Sequence, residues 1–219
     1  MIKCCIFDLD GTLLNTITTI THYVNSVLAD EGIAPISEDE CKIFVGNGAD
    51  MLIKRSLLSR DAFDETVYAR VLKKYIQAYD SSPLYLTEPY PGIHGLISEL
   101  LSRGILLGVV SNKPESATVP IVKEFFGDSF SFIRGGRAGA SLKPSPDVAL
   151  ESLGTLGIDA SMTAFIGDTS VDILTGKNMS AGLSIGVLWG FRKKEELLNA
   201  GADAVVSDCE ELLREVTNG

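Results

Sequence analysis

Two aspartates near the start of the chain, Asp8 and Asp10, have the spacing and position of paired catalytic carboxylates. They follow the apolar run 2–7, which is rich in β-forming residues and predicts a strand buried on both faces of a parallel sheet. Along an extended chain both carboxylates point to the same side, and Gly11 lets the chain turn directly behind them. Because open α/β sheets place their sites at the carboxyl ends of strands, we interpret the pair as part of a catalytic site. The structural alternative is a solvated Asp-Gly turn.

Polar side chains also follow two later apolar runs, 105–110 and 163–166, and a lysine precedes the second run. These residues are Ser111 and Asn112, Asp168 and Asp172, and Lys143. Since parallel strands end at one edge of a sheet, we expect all of them to converge with the first pair. Several carboxylates at one site need a cation between them, and oxygen ligands without histidine or cysteine favour Mg²⁺. A hydroxyl, backbone amides and a lysine bind phosphate, so the set predicts phosphoryl transfer to a carboxylate nucleophile.

The segment from residue 16 to residue 80 shows helical periodicity and no strand pattern. One helix is predicted to start at Asn15 or Thr16, and the run 37–40 is a capping-box pattern that starts another. The run Gly46-Asn47-Gly48 interrupts the helical pattern before it resumes. Since the segment is too long for a simple crossover, we predict a helical cap over residues 16–80, inserted into an α/β core of residues 1–15 and 81–219. Residues 81–83 and 88–92 would form the return link.

From residue 93 onward, helical and apolar runs alternate, as in a doubly wound α/β domain. The predicted strands cover 105–110, 130–133, 163–166, 183–188 and 204–206, and a glycine-rich loop spans 135–139. Predicted helices cover 93–103, a segment that ends near 126, and 210–216. Ser145 and Pro146 suit the N-cap and the first position of a further helix. The predicted fold class is therefore α/β, a doubly wound, mostly parallel sheet with an inserted all-helical cap domain.

Composition limits the possible partners. The chain has 219 residues, 45% of them hydrophobic, and a formal net charge of −10, which argues against nucleic acid or an anionic membrane as a partner. No apolar run approaches the roughly 20 residues of a membrane span, and the first strand begins too near Met1 for a signal peptide. The four cysteines show no C-x-x-C spacing. We therefore expect a cytoplasmic protein with a small-molecule partner, as a monomer or a homodimer.

Four sequence motifs resemble, in order and approximate spacing, those of the phosphatase branch of the haloacid dehalogenase superfamily. That branch reads D-x-D-x-T, then Ser or Thr, then Lys, then G-D-x-x-x-D, and this chain has the matching residues 8–12, Ser111, Lys143 and 167–172. The helical segment is similar to the four-helix cap of that superfamily, and the core would be Rossmann-like. The runs 44–50, 111–114 and 143–146 are similar to the phosphoglycolate phosphatase group. The resemblance thus implies a phosphoric monoester hydrolase, with phosphoglycolate as the best candidate substrate.

The resemblance also implies a role for each matching residue. Asp8 would attack phosphorus and form an aspartyl-phosphate, and Asp10 would act as general acid and then general base. Mg²⁺ would be held by Asp8, the backbone carbonyl of Asp10 and Asp168, with support from Asp172. Ser111, the Asn112 amide and Lys143 would bind the phosphoryl oxygens. Thr12 would brace the Asp8 turn, and Asn47 and Gly48 would face the substrate from the cap.

Several alternatives stay open at this point. Asp172 could ligate the metal, support it indirectly, or serve only as an acid in the first turn of a helix, and the loop 46–48 could be a simple turn. Residues 189–192 could line the site or pack in the core, while His22 and His94 are expected to be structural or surface residues. A sugar-phosphate mutase of the same superfamily is the nearest rival function. Asp10 disfavours a dehalogenase, and the length and the cap disfavour a phospho-accepting signalling receiver.

Overall fold

A six-stranded parallel sheet forms the centre of the protein, as the alternating apolar runs predict. In the computed structural model, residues 1–82 and 84–218 are described, so Pro83 of the predicted return link and Gly219 lie outside the described residues. The strands are β1 (Cys4–Phe7), β2 (Leu14–Asn15), β3 (Glu88–Pro89), β4 (Leu106–Pro114), β5 (Phe132–Gly136), β6 (Thr163–Gly167), β7 (Leu183–Val187) and β8 (Ala204–Val206). The large sheet has the order β5-β4-β1-β6-β7-β8. Without the short β2 and β3, this is the 3-2-1-4-5-6 order of a doubly wound fold.

Helices cover both faces of this sheet and fill the segment between β2 and β3. They are α1 (Ile17–Asp30), α2 (Glu38–Phe44), α3 (Gly48–Leu58), α4 (Glu65–Ser81), α5 (Ile93–Ser102), α6 (Glu115–Phe126), α7 (Asp147–Leu156), α8 (Ser170–Asn178), α9 (Lys194–Asn199) and α10 (Cys209–Asn218), with a 3₁₀ turn at Ala160–Met162. The predicted fold class, an α/β sheet with an inserted helical segment, is confirmed. The boundaries 16 and 80 between core and cap stay a prediction.

The core lies on the two faces of the sheet, and β1 contributes to both. Its four residues are fully buried, with Cys4 and Ile6 in one apolar cluster and Cys5 and Phe7 in the other. This alternation is what an extended strand between two layers of helices requires. The four cysteines are free thiols, and Cys4, Cys5 and Cys41 are buried. Among the described residues, no helix combines the length and apolar character needed to cross a bilayer.

A short antiparallel ladder joins the two chain segments that connect the sheet to the inserted helices. Leu14 pairs with Pro89 and Asn15 with Glu88, and the Tyr90 amide donates to the Leu13 carbonyl at 3.1 Å. The sequence analysis did not predict this ladder, because strands of two residues leave no periodic pattern. It ties the entry and exit of α1–α4 together at one point, which is the geometry of a hinge.

Local signals at helix ends gave mixed results. The capping box at Ser37 is confirmed, since its Oγ accepts from the Glu40 amide at 3.2 Å and its amide donates to Glu40 Oε2 at 2.8 Å. The prediction for Ser145 and Pro146 is wrong by one residue: Pro146 occupies the N-cap and the helix begins at Asp147. An α9 helix between β7 and β8 was not predicted.

Two strand boundaries also differ from the prediction. The strand expected at 105–110 continues to Pro114, so Ser111 and Asn112 lie within its last residues rather than after it. The strand expected at 130–133 is Phe132–Gly136, and it includes two glycines assigned to a loop. Gly135 is required there because a Cβ would lie 2.4 Å from the Glu115 Cα. A glycine that permits close backbone approach reads in sequence like a turn residue.

Candidate active site

The turn after β1 places Asp8 and Asp10 at the edge of the sheet. The Asp8 amide continues the strand pairing by donating to the Ile166 carbonyl at 2.9 Å, and the Asp8 side chain is buried. Gly11 then adopts a φ of +86°, and a Cβ there would lie 2.4 Å from Asp168 Oδ2. A side chain at this position would therefore be both strained and in collision with the next acid. The turn predicted from Asp-Gly is confirmed, and it brings β1 against Asp168.

Three buried carboxylates converge at this point. Asp8, Asp168 and Asp172 each offer an oxygen within 4.8 Å of the others. Asp168 and Asp172 follow β6, and Gly167 lets them approach because a Cβ there would lie 2.2 Å from the Asp172 Cβ. Acids that are far apart in the sequence therefore meet at one edge of the sheet, as the order of the strands predicts.

Lys143 lies between two of the acids. Its Nζ is 2.8 Å from Asp8 Oδ1 and 2.6 Å from Asp172 Oδ1, and its side chain is only 2% exposed. Asn112 fixes the lysine backbone, since its Oδ1 accepts from the Lys143 amide at 2.8 Å and its Nδ2 donates to the Lys143 carbonyl at 3.1 Å. The same Nδ2 reaches the Gly46 carbonyl at 3.0 Å. Asn112 therefore positions Lys143 and also contacts the loop between α2 and α3.

Burial and mutual repulsion dominate the electrostatics of the cluster. Burial, together with the nearby Asp172 and Asp10, raises the pKa of Asp8 to about 6, although Lys143 acts in the opposite direction. Burial and the charges of Asp172 and Asp8 hold the pKa of Asp168 well above its usual range. Burial alone would lower the pKa of Lys143, but the two carboxylates beside it raise it above its ordinary value. The site thus has more negative charge than its lysine balances.

Asp172 combines two of the roles left open by the sequence. Its Oδ1 bonds to Lys143, while its Oδ2 accepts from the Thr169 amide at 3.0 Å and from the Thr169 hydroxyl at 2.7 Å. It is therefore a first-turn acid of α8 and also a member of the carboxylate cluster.

Thr12, which is expected to brace the Asp8 turn, connects that turn to β6. It is fully buried, and its hydroxyl donates to Asp168 Oδ1 at 3.1 Å. The residue after Gly11 thus points toward β6, because the turn folds back against that strand. Thr12 orients the third acid of the cluster.

A cavity of about 60 Å³ adjoins the acids, which is room for roughly five water molecules. Asp8, Asp10, Ser111 and Asn112 line it from the sheet, and Gly48 lines it from the start of α3. Asn47 is not among the described lining residues, and its Oδ1 accepts from Arg55 at 2.9 Å. The inserted helices therefore form part of the cavity wall, which includes one of the two predicted cap residues.

The segment after β7, whose role was left open, contacts the site through a backbone amide and a side chain. The Phe191 amide donates to Asp168 Oδ2 at 2.8 Å, and Trp189 Nε1 donates to the Thr12 carbonyl at 2.9 Å. Arg192 extends to the inserted helices, where its guanidinium donates to the backbone carbonyls of Lys42, Ile43 and Val45. By contrast His22 and His94 are exposed and pack against aromatic rings, as expected for structural or surface residues.

Sequence reasoning missed two residues on the cavity wall. Lys113 Nζ lies 3.1 Å from both carboxylate oxygens of Asp10 and 2.8 Å from the Tyr79 hydroxyl. The only signal for Lys113 was its place in the run 111–114, and Tyr79 was assigned only to a helix. Together they connect the general-acid candidate to the C-terminal end of α4.

Comparison with known proteins identifies the family. The model of the haloacid dehalogenase-like hydrolases matches residues 5–184. The chain belongs to this family. It is 33% identical to the phosphoglycolate phosphatase of Rhodospirillum rubrum over 214 residues, 95% of this chain and 88% of that protein. It is also 31% identical to phosphoglycolate phosphatase 1 of Pseudomonas aeruginosa over 212 residues, 94% of this chain and 77% of the relative.

The structural comparison agrees with this assignment. A solved structure of a predicted phosphoglycolate phosphatase from Haemophilus somnus superposes with a TM-score of 0.91 at 26% identity, covering 99% of this chain and 98% of that one. This haloacid dehalogenase-like hydrolase is therefore a phosphatase that acts on phosphoric monoesters, as the four sequence motifs predicted. The first motif supplies Asp8 to the buried carboxylate cluster, and the last motif supplies Asp168 and Asp172.

Proposed function

We propose that this protein is a Mg²⁺-dependent phosphatase of small phosphate monoesters, with phosphoglycolate as the best candidate, acting through a phosphorylated Asp8. The observation that carries the proposal is the buried cluster of Asp8, Asp168 and Asp172, in which Lys143 contacts two of the acids and Asp8 also lines a small cavity. Carboxylates supply both a nucleophile and a metal site, and the lysine supplies charge for a phosphoryl group.

The donor set fits a magnesium ion. All three acids are hard oxygen donors, and Asp8 Oδ1, although 2.8 Å from Lys143, forms no well-aligned hydrogen bond with any described residue. Asp8, Asp168 and the Asp10 carbonyl would hold the ion, with Asp172 supporting it from one helical turn further along the chain, where its Oδ1 is paired with the Lys143 ammonium. The bound ion would neutralise charge on the phosphoryl oxygens.

Each step then uses groups of the chain. An Asp8 oxygen attacks phosphorus and the bond from phosphorus to the ester oxygen breaks, while Asp10 gives its proton to the departing oxygen. Lys143, the Ser111 hydroxyl and the Asn112 amide bind the phosphoryl oxygens. A water molecule next attacks phosphorus of the aspartyl-phosphate and gives its proton to Asp10. Orthophosphate leaves, and both aspartates return to their starting states.

The choice of phosphoglycolate rests on two observations. The curated relatives that match most of the chain are phosphoglycolate phosphatases, and the cavity accommodates a compact ester rather than a phosphoprotein. Apolar side chains from the inserted helices close the cavity over Asp8, which excludes water other than the hydrolytic one.

A screen of small phosphate esters with Mg²⁺ tests this proposal by the release of orthophosphate. The expected result is hydrolysis that prefers phosphoglycolate, stops with a chelator and returns with Mg²⁺. The Asp8→Asn variant, which is nearly isosteric, should fold and remain inactive. An isomerised sugar phosphate without free phosphate would instead indicate the mutase alternative.

A further inference from the structure

We propose that Lys113 is the specificity-determining residue of this site and binds a carboxylate of the substrate next to the leaving oxygen. The inference rests on the proposed phosphatase function and narrows the substrate to a compact phosphate ester that carries a carboxylate. It is drawn from the position of Lys113, the charge of the cavity and the reach of Asp10.

Lys113 is a buried cation on the cavity wall. It lies near the end of β4, and its side chain is 6% exposed. Its ammonium contacts both oxygens of Asp10 at 3.1 Å and the Tyr79 hydroxyl at 2.8 Å, and it lies 4.1 Å from the centroid of the Tyr79 ring. Burying a lysine is costly unless anionic groups surround it. Asp10 places one carboxylate against Lys113, whereas Lys143 has two carboxylates beside it, so the Lys113 position can accept a further negatively charged ligand.

Lys113 differs in charge from the rest of the cavity wall. Among the described lining residues it alone carries a positive charge, and most of the wall is apolar: Ile20, Val45, Leu52, Tyr75, Ile76 and Phe191. Lys143 is engaged by Asp8 and Asp172 and is required for the phosphoryl group. A second anionic group on a substrate therefore has Lys113 as its partner, in surroundings of low dielectric that strengthen the pair.

The reach of Asp10 places that second group close to the ester. As general acid, Asp10 must lie about 2.6–3.2 Å from the leaving oxygen. The Lys113 ammonium, 3.1 Å from the Asp10 carboxylate, then lies within about 6 Å of the same oxygen. In phosphoglycolate one methylene separates the leaving oxygen from the carboxylate, so the carboxylate falls between that oxygen and Lys113. A neutral alcohol ester of the same size offers the lysine no charge.

The test compares matched ligand pairs on the Mg²⁺-loaded protein. The substrates are phosphoglycolate and 2-hydroxyethyl phosphate, which has a hydroxymethyl group in place of the carboxylate. The non-hydrolysable ligands are 3-phosphonopropionate and 3-hydroxypropylphosphonate, measured by titration calorimetry. Wild type should prefer the carboxylated member of each pair, and Lys113→Met should reduce that preference roughly 10- to 100-fold, the effect of one charge-assisted hydrogen bond.

Lys73→Met is the charge-matched control, because Lys73 is exposed on α4, and it should keep the wild-type preference. An equal loss for both members of a pair in Lys113→Met would overturn the inference and leave Lys113 as a positioning residue for Asp10. Lys113→Gln replaces Lys113→Met in the same measurements if the methionine variant does not fold. A wild-type protein that shows no preference for the carboxylated ligands refutes the inference by itself. If no ester is hydrolysed but the phosphonate preference depends on Lys113, the proposed function fails while the carboxylate site stands.

Discussion

The crowded acids predict an unusual effect of replacing the nucleophile: Asp8→Asn should stabilise the metal-free protein at neutral pH. Burial, with the charges of Asp172 and Asp10, raises the pKa of Asp8 from an ordinary 3.8 to about 6. A carboxyl group with a raised folded-state pKa binds protons more tightly when folded. Its contribution to stability is therefore present below pH 4 and is lost as the pH rises through 6.

The size of the effect follows from that shift. Each pKa unit corresponds to about 1.4 kcal/mol, so ionising Asp8 removes about 3 kcal/mol from the free energy of unfolding between pH 4 and pH 7. In a chain of this size, the loss corresponds to a fall in Tm of roughly 6–12 °C. The asparagine side chain of the Asp8→Asn variant cannot ionise, so the variant avoids this loss and keeps a side chain of the same shape.

Thermal unfolding of the chelator-treated wild type and variant from pH 4.5 to pH 7.5 measures the difference. The variant should exceed the wild type by only about 2–4 °C at pH 4.5, where about a third of the loss has occurred, and by about 6–12 °C at pH 7.5. Mg²⁺ should raise the Tm of the wild type most at the higher pH. A variant that is less stable than metal-free wild type at pH 7.5 would refute the charge-crowding argument.

Three further predictions concern catalysis and the inserted helices. Asp10→Asn should lower the turnover rate roughly 10²–10⁴-fold. Rapid-quench kinetics should show that the rate of phosphoenzyme formation falls less for aryl phosphates than for alkyl phosphates. Equal losses for the two classes would contradict the general-acid assignment. Gly48→Val should change KM or the substrate ranking without changing Mg²⁺ affinity. Gly48 has a φ of +86°, which strains any other residue, and a Cβ there would contact the Asn112 carbonyl at 3.5 Å. Unchanged kinetic constants for several esters would make the loop purely structural. Arg192→Met should increase hydrogen exchange in α2, by up to roughly tenfold for each charge-assisted bond lost, since its guanidinium bonds to three carbonyls at the end of α2. A lower kcat/KM should accompany the loosened helix. Lys193→Met is the control, and unchanged α2 exchange in Arg192→Met would count against this connection.

The convergence of the acids was predictable from sequence because it depends on strand order and strand ends. Asp8 and Asp168 follow apolar runs that read clearly as buried strands, and neighbouring parallel strands bring such ends together. The two glycines at 11 and 167 also carried a signal, since each precedes or follows an acid at a point of close approach. For these residues local pattern and global fold agree.

Contacts across the cavity could not be predicted in the same way. Lys113 meets Tyr79 because α4 reaches the end of β4, and Arg192 meets the end of α2 because the segment after β7 reaches the inserted helices. These pairs join segments that are far apart in sequence without a shared period or motif spacing. The bond from Thr12 to Asp168 was not predicted either, because the direction of a side chain after a left-handed glycine depends on the turn that follows it.

The most direct test of the central claim is to locate the phosphoryl group during turnover. Protein mixed with phosphoglycolate and Mg²⁺ is quenched in acid, digested and examined by mass spectrometry, with Asp10→Asn included to slow hydrolysis of the intermediate. We expect one added phosphoryl group on the peptide that contains Asp8. This phosphoryl group should be absent from Asp8→Asn and from chelator-treated protein. A phosphoryl group on another residue, or full turnover by Asp8→Asn, would contradict it.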